Sequence, residues 1–189
     1  MTTIITLGIL ILLAGYGALL YNNLVALKHR VAKAWANIDI LLKQRHDELP
    51  KLVETCRQYM SYEQDTLERV IQARGSVSSA REAQDIDALG RAETSLRAGL
   101  GQLFALAENY PQLKANESFQ HLQARITDLE NGIADRRELY NDAVNLNNIR
   151  IEQFPDLLVA RAFSFGPFTL LEFAEEELRD PDIKALFNT

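Results

Sequence analysis

Apolar residues recur along most of this chain at the spacing of long α-helices. From residue 21 onward they form three adjacent rows in which the residues are seven apart. Such a face is wider than the seam of a two-stranded coiled coil, so the helix must pack against at least two neighbours. The pattern predicts a first helix from residue 4 to about residue 46. The rows are Leu24, Val31 and Ile38; Leu27, Ala34 and Leu41; and Trp35, Leu42 and Leu49.

The beginning of this helix is mostly apolar on every side. Residues 4–20 carry no charge, and at about 1.5 Å rise per residue they cover most of a hydrocarbon core about 30 Å thick. A cleaved signal peptide is the competing interpretation, but it would need a basic start, and the chain opens with Met-Thr-Thr. We therefore expect residues 1–21 to be an uncleaved single-pass anchor, with residues 4–20 in the lipid bilayer.

The charges that flank this segment predict its orientation. No basic residue precedes it, whereas Lys28, Arg30 and Lys33 follow it. Because basic flanks stay on the cytoplasmic side, we expect the N-terminus outside the cell membrane and the body in the cytoplasm.

Pro50 is the first strong break in the pattern. A proline costs about 3 kcal/mol in a helix interior but little in the first turn. With Asp47 as N-cap, Pro50 would open a second helix that ends near Ala80, and we favour this break. A continuous kinked helix is the alternative, because the apolar rows almost carry through the proline and no glycine marks a reversal.

Two further helices follow a predicted loop. Residues 75–87 are polar and contain glycine and serine, which is typical of a loop. Leu89, Leu96 and Leu103 are seven apart and predict a third helix that ends at 110–111, and a fourth helix is predicted over about 114–153. We therefore predict an all-α protein with an antiparallel, up-down four-helix bundle over residues 22–153 and a tail over residues 154–189. In that topology Tyr21 and Asn22 would face Tyr140 and Asn141 near the membrane.

Composition and motifs exclude several classes of protein. The net charge is −6, which disfavours nucleic-acid binding, and the last 18 residues carry −4 of it. No phosphate-binding loop, dinucleotide-binding glycine motif or zinc-protease motif occurs, and no two of the three histidines have the spacing of a helical metal site. The single cysteine, Cys56, lies in an apolar helical pattern and is interpreted as a core residue. We therefore expect no enzyme activity, no metal and no cofactor.

One charged side chain is predicted to lie inside the bundle. Arg45 falls on the row of Leu24, Val31 and Ile38, so it needs a carboxylate partner. We expect a structural ion pair with Glu54, with Glu108 and Glu117 as other partners that the topology allows. A ligand-binding arginine is the alternative.

Polar and aromatic residues near the predicted membrane end form the candidate recognition surface. Its asparagines could fix the register of the bundle or bind an ion, a lipid head group or a partner backbone. The aromatic tail segment 154–173 is too apolar for a free tail and predicts an interface. A second protomer is the preferred partner, since the acidic stretch 175–182 disfavours anionic lipid. The candidate residues are Tyr21, Asn22, Tyr140, Asn141, Asn148, Phe154, Pro155, Phe163, Phe165 and Phe168, and the wider asparagine group adds Asn23, Asn145 and Asn147.

Three separated motifs, in the same order, resemble the LemA family. They are YNNLVALKHRVAKAWANIDILLKQRHDELPKLVET at 21–55, YPQLKANESFQHLQARITDLENGIADRRELYN at 110–141 and FPDLLVARAFSF at 154–165. The resemblance covers about residues 2–172. It implies a membrane-anchored, antiparallel four-helix bundle on the cytoplasmic side and no established activity. Lys51, Tyr62, Asn147 and Asn148 depart from the family pattern, so roles that depend on those side chains are in doubt.

Two functions therefore compete. The first is a membrane-tethered scaffold that forms homo-oligomers through its helical body and aromatic tail. The second is an adaptor or sensor that binds another membrane protein or a small ligand at the Asn/Tyr end.

Overall fold

The computed structural model describes residues 1–173, and these residues are mostly helical, with no strand. This confirms the all-α class, whereas the four-helix bundle stays a prediction. The helices are α1 (Thr2–Arg57), α2 (Gln64–Ala83), α3 (Ile86–Ala107), α4 (Pro111–Lys114), α5 (Glu117–Glu152) and α6 (Asp156–Ala162). The predicted third and fourth helices correspond to α3 and α5.

The chain divides into two compact units. The first unit consists of Met1–Lys43 and Leu129–Leu170. The second consists of Gln44–Asp128 and the described tail residues 171–173. Helices α1 and α5 therefore each contribute one segment to each unit.

The N-terminal part of α1 is long and apolar enough to cross a membrane. Its large side chains from Ile4 to Leu13 are all more than half exposed, so the protein itself does not cover them. An apolar helix of this length that no core covers is what a lipid environment requires.

The predicted break at Pro50 is wrong, because α1 continues through the proline to Arg57. Proline has no N–H, so the carbonyl of His46, four residues earlier, lacks its helical donor. Arg74 of α2 supplies a donor instead: its Nε donates to the His46 carbonyl oxygen at 3.0 Å. A side chain from another helix thus replaces the hydrogen bond that Pro50 cannot make.

The same arginine also contacts the ring of His46. Arg74 Nη2 lies 2.6 Å from His46 Nε2. Burial, followed by the positive charge of Arg74, lowers the pKa of the His46 imidazole. The ring is therefore neutral near pH 7, and its Nε2 accepts the hydrogen bond from the guanidinium.

The predicted loop over 75–87 is also wrong, because α2 continues to Ala83. Its serines bond within the helix: Ser76 Oγ donates to the Gln72 carbonyl oxygen at 3.2 Å, and Ser78 Oγ donates to Glu82 at 3.0 Å. The turn itself needs only Gln84, which has a left-handed backbone (φ 54°), and Asp85. The Asp85 carboxylate caps α3 by accepting from the Ala88 N–H at 2.9 Å.

The buried ion pair of the second unit joins Arg45 to Glu93, so the predicted partner Glu54 is wrong. Arg45 Nη2 donates to Glu93 Oε1, and the side chains are 1 % and 0 % exposed. Glu54 is 68 % exposed and lies 4.0 Å from Arg57 instead. Glu93 was recognisable in the sequence, because it follows Leu89 by four residues and precedes Leu96 by three, on the apolar face of α3.

We expect Pro50 and Arg74 to be energetically coupled. Arg74→Met should lower the free energy of unfolding by about 1–3 kcal/mol, since the His46 carbonyl, in a part-buried position, loses its donor. In a Pro50→Ala background, the new backbone N–H serves that carbonyl, so Arg74→Met should cost about 1 kcal/mol less. Denaturant unfolding of the full chain in mild detergent, followed by circular dichroism, measures both costs.

The matched control is Arg69→Met, an exposed arginine on the same helix whose Nη1 lies 3.5 Å from Gln102. It should have the same small effect in both backgrounds. An equal cost of Arg74→Met with and without Pro50 would contradict the assigned role of Arg74.

We expect Arg45→Met to destabilise the fold by about 3–5 kcal/mol, because it leaves the Glu93 carboxylate buried without its ion partner. The double variant Arg45→Met/Glu93→Leu should recover most of this loss, since it removes both charges. Lys51→Met breaks a surface pair with Glu48, in which Lys51 is 61 % exposed, and should cost at most about 1 kcal/mol. The same unfolding assay applies, and a double variant as unstable as Arg45→Met would refute the expectation.

Candidate functional site

The candidate site is the part of the first unit where α1 meets α6 and the chain that follows it. The ring of Tyr21 lies 4.8 Å from the ring of Phe163 and 5.7 Å from that of Phe165, between centroids. Phe165 also packs against a small core of Leu24, Ile151 and Ala160. Three aromatic residues chosen from two separate sequence motifs thus form one cluster, and it begins directly after the apolar segment 4–20.

The antiparallel register of α1 and α5 contradicts the predicted pairing of Tyr21 with Tyr140. Tyr140 instead packs edge-on against Trp35, with ring centroids 5.9 Å apart. Leu24 and Ile151 share the core described above, so a step of 11 residues along α1 matches a step of 11 residues back along α5. In this register Tyr21 lies level with the end of α5, because α5 extends to Glu152.

Two asparagines of α5 hold the tail through its backbone. Asn148 Nδ2 donates to the carbonyl oxygen of Phe168 at 2.9 Å, and Asn148 Oδ1 accepts from the N–H of Phe168 at 3.0 Å. Asn147, which is 1 % exposed, donates to the carbonyl oxygen of Gly166 at 3.3 Å. The amide of Asn148 thus meets both backbone groups of Phe168, as a neighbouring strand would. We refer to Asn147 and Asn148 as the amide clamp.

Tyr140 binds the tail at the residue that follows Phe168. Its hydroxyl donates to the carbonyl oxygen of Thr169 at 2.9 Å. Burial raises the pKa of the Tyr140 hydroxyl, so it remains a donor throughout the physiological pH range. Together with the amide clamp, it ties segment 166–169 to α5 by polar contacts that do not depend on the tail's side chains.

The other asparagines lie elsewhere on the surface. Asn22, Asn23 and Asn145 are exposed, and Asn141 is half-buried. Of the six asparagines predicted to form one recognition group, the two in the amide clamp bind the protein's own tail.

The tail beyond this segment is held in the second unit. Leu171 is buried, and the Phe173 ring lies 4.9 Å from the guanidinium carbon of Arg97. A Cβ at Gly90 would overlap the carbonyl oxygen of Glu172, so α3 needs glycine where the tail crosses it. The acidic stretch 175–182 lies outside the described residues.

Part of the aromatic tail remains uncovered. Phe154 is 79 % exposed, Leu158 is 60 % exposed and Phe163 is 62 % exposed. Pro155, joined to Phe154 by a cis peptide bond, precedes α6. The predicted exposed patch therefore lies on α6 and its two ends, while Phe165 is partly buried against the small core.

A cavity of about 340 Å³ lies between α1 and the clamped tail. One wall consists of Tyr21, Val25, Lys28 and His29 from α1, and the other of Asn147 and the segment 163–168. Ser164 at its rim has a left-handed backbone (φ 57°), which is uncommon outside glycine. We refer to this cavity as the α1–tail groove.

The described residues offer binding contacts rather than an activated reactive group. Within residues 1–173, no three His, Cys, Asp or Glu side chains converge in a way that could hold a metal ion. Burial raises the pKa of the Cys56 thiol to about 12, so it is not a nucleophile at neutral pH. The chemistry available at the site is aromatic packing, amide hydrogen bonding and positive charge.

From the sequence, the asparagines of the amide clamp were expected to fix the register of the bundle or to bind a ligand or partner, and their contact with the protein's own tail was not predicted. Asn147 stands on the heptad row that contains Phe119, Ile126, Ile133 and Tyr140. An amide on an apolar row, next to a second amide, is a signal that a polar partner lies opposite. The sequence alone could not identify that partner as backbone.

Comparisons with known proteins agree with the resemblance noted in the sequence. The model of the LemA family matches residues 34–185. Protein LemA of Metamycoplasma hominis is 26 % identical over 172 residues, which is 88 % of this chain and 75 % of that protein.

A shorter stretch is similar to magnetosome proteins. "Magnetosome protein MamQ 2" of Paramagnetospirillum magneticum is 38 % identical over 56 residues, and "Magnetosome protein MamQ" of Magnetospirillum gryphiswaldense is 32 % identical over 56 residues. Each match covers 30 % of this chain and 21 % of the relative, so the chain spans only about a fifth of the length of the MamQ proteins.

We expect Asn148→Ala to release the tail from α5. The substitution removes both hydrogen bonds to Phe168, so chymotrypsin should cleave after Phe165 or Phe168 about tenfold faster, as a loss of about 1.4 kcal/mol in local stability predicts. Asn145→Ala changes an exposed asparagine on the same helix and is the matched control. Equal cleavage rates of the two variants would show that the amide clamp does not hold the tail.

Proposed function

This chain belongs to the LemA family, and we propose that it is a membrane-anchored, non-enzymatic helical scaffold that self-associates. The N-terminal part of α1 is the anchor, and the helices that follow provide the surface for assembly. The basic residues after the anchor favour a body in the cytoplasm and an N-terminus outside.

The observation that carries this proposal is an uncovered apolar stripe on α5. Leu139 is 53 % exposed, Leu146 is 38 % exposed and Ile149 is 52 % exposed. Leu139 and Leu146 are seven residues apart and Ile149 follows three residues later, which is the spacing of a coiled-coil seam. In a long helix whose other apolar face is already buried, a second stripe favours a further helix as its partner.

The surface next to the stripe suits a second copy of the same chain. A shallow groove of about 370 Å³ lies between α1 and α5, lined by Ala34, Asn37, Leu139, Ala143 and Leu146. Arg30 and Lys33 stand on its α1 side and Asp142 on its α5 side. A two-fold axis along the membrane normal would bring opposite charges together and keep both anchors parallel.

An adaptor is the second candidate, in which the same stripe binds another membrane protein. The apolar character of the stripe favours the two functions equally, because any amphipathic helix could pack on it. The charges on the two sides of the groove favour self-association, since they make the surface complementary to itself. The MamQ relatives match over too little of their length to choose between the two.

We expect the full-length protein in mild detergent to be a discrete oligomer, by light scattering corrected for bound detergent. Leu146→Glu should convert it to monomer, because the substitution places a charge in the proposed seam. Ile71→Glu is the matched control, since Ile71 is also 38 % exposed but lies on α2 in the other unit.

A monomeric wild-type protein would refute self-association and leave the adaptor, whose partner would then be sought by cross-linking from position 146. Oligomers that persist in Leu146→Glu would place the contact elsewhere and refute the role of the α5 stripe.

A further inference from the structure

We propose that the α1–tail groove binds the headgroup of one anionic phospholipid, with Lys28 and His29 facing the lipid phosphate. The inference rests on the membrane anchoring of α1 proposed above, but it does not need self-association. It assigns a ligand to a cavity that the scaffold function leaves unused.

The groove combines cationic and aromatic walls. Tyr21, Val25, Lys28 and His29 lie on one face of α1, since they follow one another at four, three and one residues. Lys28 and His29 are exposed, so their ring and ammonium donors are available to a ligand. Phe163 and Phe165 stand opposite Tyr21, so the basic residues and the aromatic rings line the same cavity.

The groove lies at the depth of lipid headgroups when α1 spans the bilayer. The apolar segment 4–20 ends at Leu20, and Lys28, the first charged residue after it, follows eight residues later, which is about 12 Å along the helix axis. The headgroup layer of one leaflet is roughly 5–8 Å thick. A lysine side chain bends back toward the phosphate level by several ångströms, so Lys28 and Tyr21 bracket this layer.

The exposed apolar side chains of α6 lie at the same level. Phe163 contacts Tyr21, the first residue after the apolar segment 4–20. Leu158 on α6 and Phe154 before it are also exposed. Aromatic and leucine side chains at this depth gain free energy by entering the acyl region. We therefore assign this patch to contact with the bilayer rather than with a second protomer. The patch would hold the acyl chains of the bound lipid beside the groove.

The charge of this region favours an anionic lipid over a zwitterionic one. Among the residues that line the groove, Lys28 is a cation and none is acidic. The nearby Asp156 is buried and lies 3.3 Å from Arg150. The charge that lines the groove is therefore positive, which attracts anionic headgroups.

The test is native mass spectrometry of the full-length protein in a neutral detergent, titrated with phosphatidylglycerol, phosphatidylcholine or inorganic phosphate. A neutral micelle has no surface potential, so distant charges contribute little. We expect one phosphatidylglycerol to bind about tenfold or more tightly than phosphatidylcholine. Lys28→Gln should weaken phosphatidylglycerol binding about tenfold, as loss of a charged hydrogen bond predicts, and His29→Gln should weaken it further when combined.

The matched control is Arg30→Gln. Arg30 lies two residues after Lys28 but lines the groove between α1 and α5, so this variant also removes one charge. It should change phosphatidylglycerol binding less than about twofold, since it touches no part of the proposed site. Equal loss in Arg30→Gln and Lys28→Gln would show general attraction and overturn the site. Displacement of phosphatidylglycerol by millimolar phosphate would overturn the lipid and assign a soluble phosphate ligand instead.

Alkaline extraction of membranes that contain the protein separates this inference from the anchor on which it rests. Protein that is extracted would refute the membrane anchor itself. Protein that stays in the membrane but shows no preference for phosphatidylglycerol would refute the headgroup site alone.

Discussion

The antiparallel pairing of α1 with α5 in the first unit determines where every residue of the candidate site lies. Trp35 against Tyr140, and Leu24 with Ile151 in one core, fix the register of the two helices. A shift by one heptad would move α5 by about 10 Å along α1. With the observed register, the end of α5 comes level with Tyr21, so α6 and the tail begin where the apolar segment ends.

Sequence periodicity predicted the helices well and their ends poorly. Heptad rows gave α3 and α5 nearly to their bounds, because a buried face must recur every 3.6 residues whatever the partner is. The breaks predicted at Pro50 and at the serines after Gly75 were wrong, because turn-forming residues do not end a helix when their polar groups find partners in the helical state. Arg74 compensates for the proline, and Ser76 bonds within its own helix.

The candidate site was predictable in its composition but not in its contacts. Tyr21, Phe163 and Phe165 were chosen for their aromatic character, and they meet. Tyr140 was assigned to the same group and instead packs on Trp35. Residue spacing within α5 does not reveal its register against α1, and this register decides which residues of the two helices meet. Arg45 was correctly expected to need a carboxylate, but its partner Glu93 depends on how α3 packs.

The amide clamp explains how an apolar tail can leave part of its surface uncovered. A tail held only by its side chains would have to bury its aromatic residues to stay in place. Hydrogen bonds from Asn147 and Asn148 to backbone hold segment 166–168 whatever side chains it bears. Phe154, Leu158 and Phe163 are thus free to face outward. An outward apolar patch beside the proposed membrane anchor would be stable in lipid and is costly in water, so the fold is consistent with the proposed anchor.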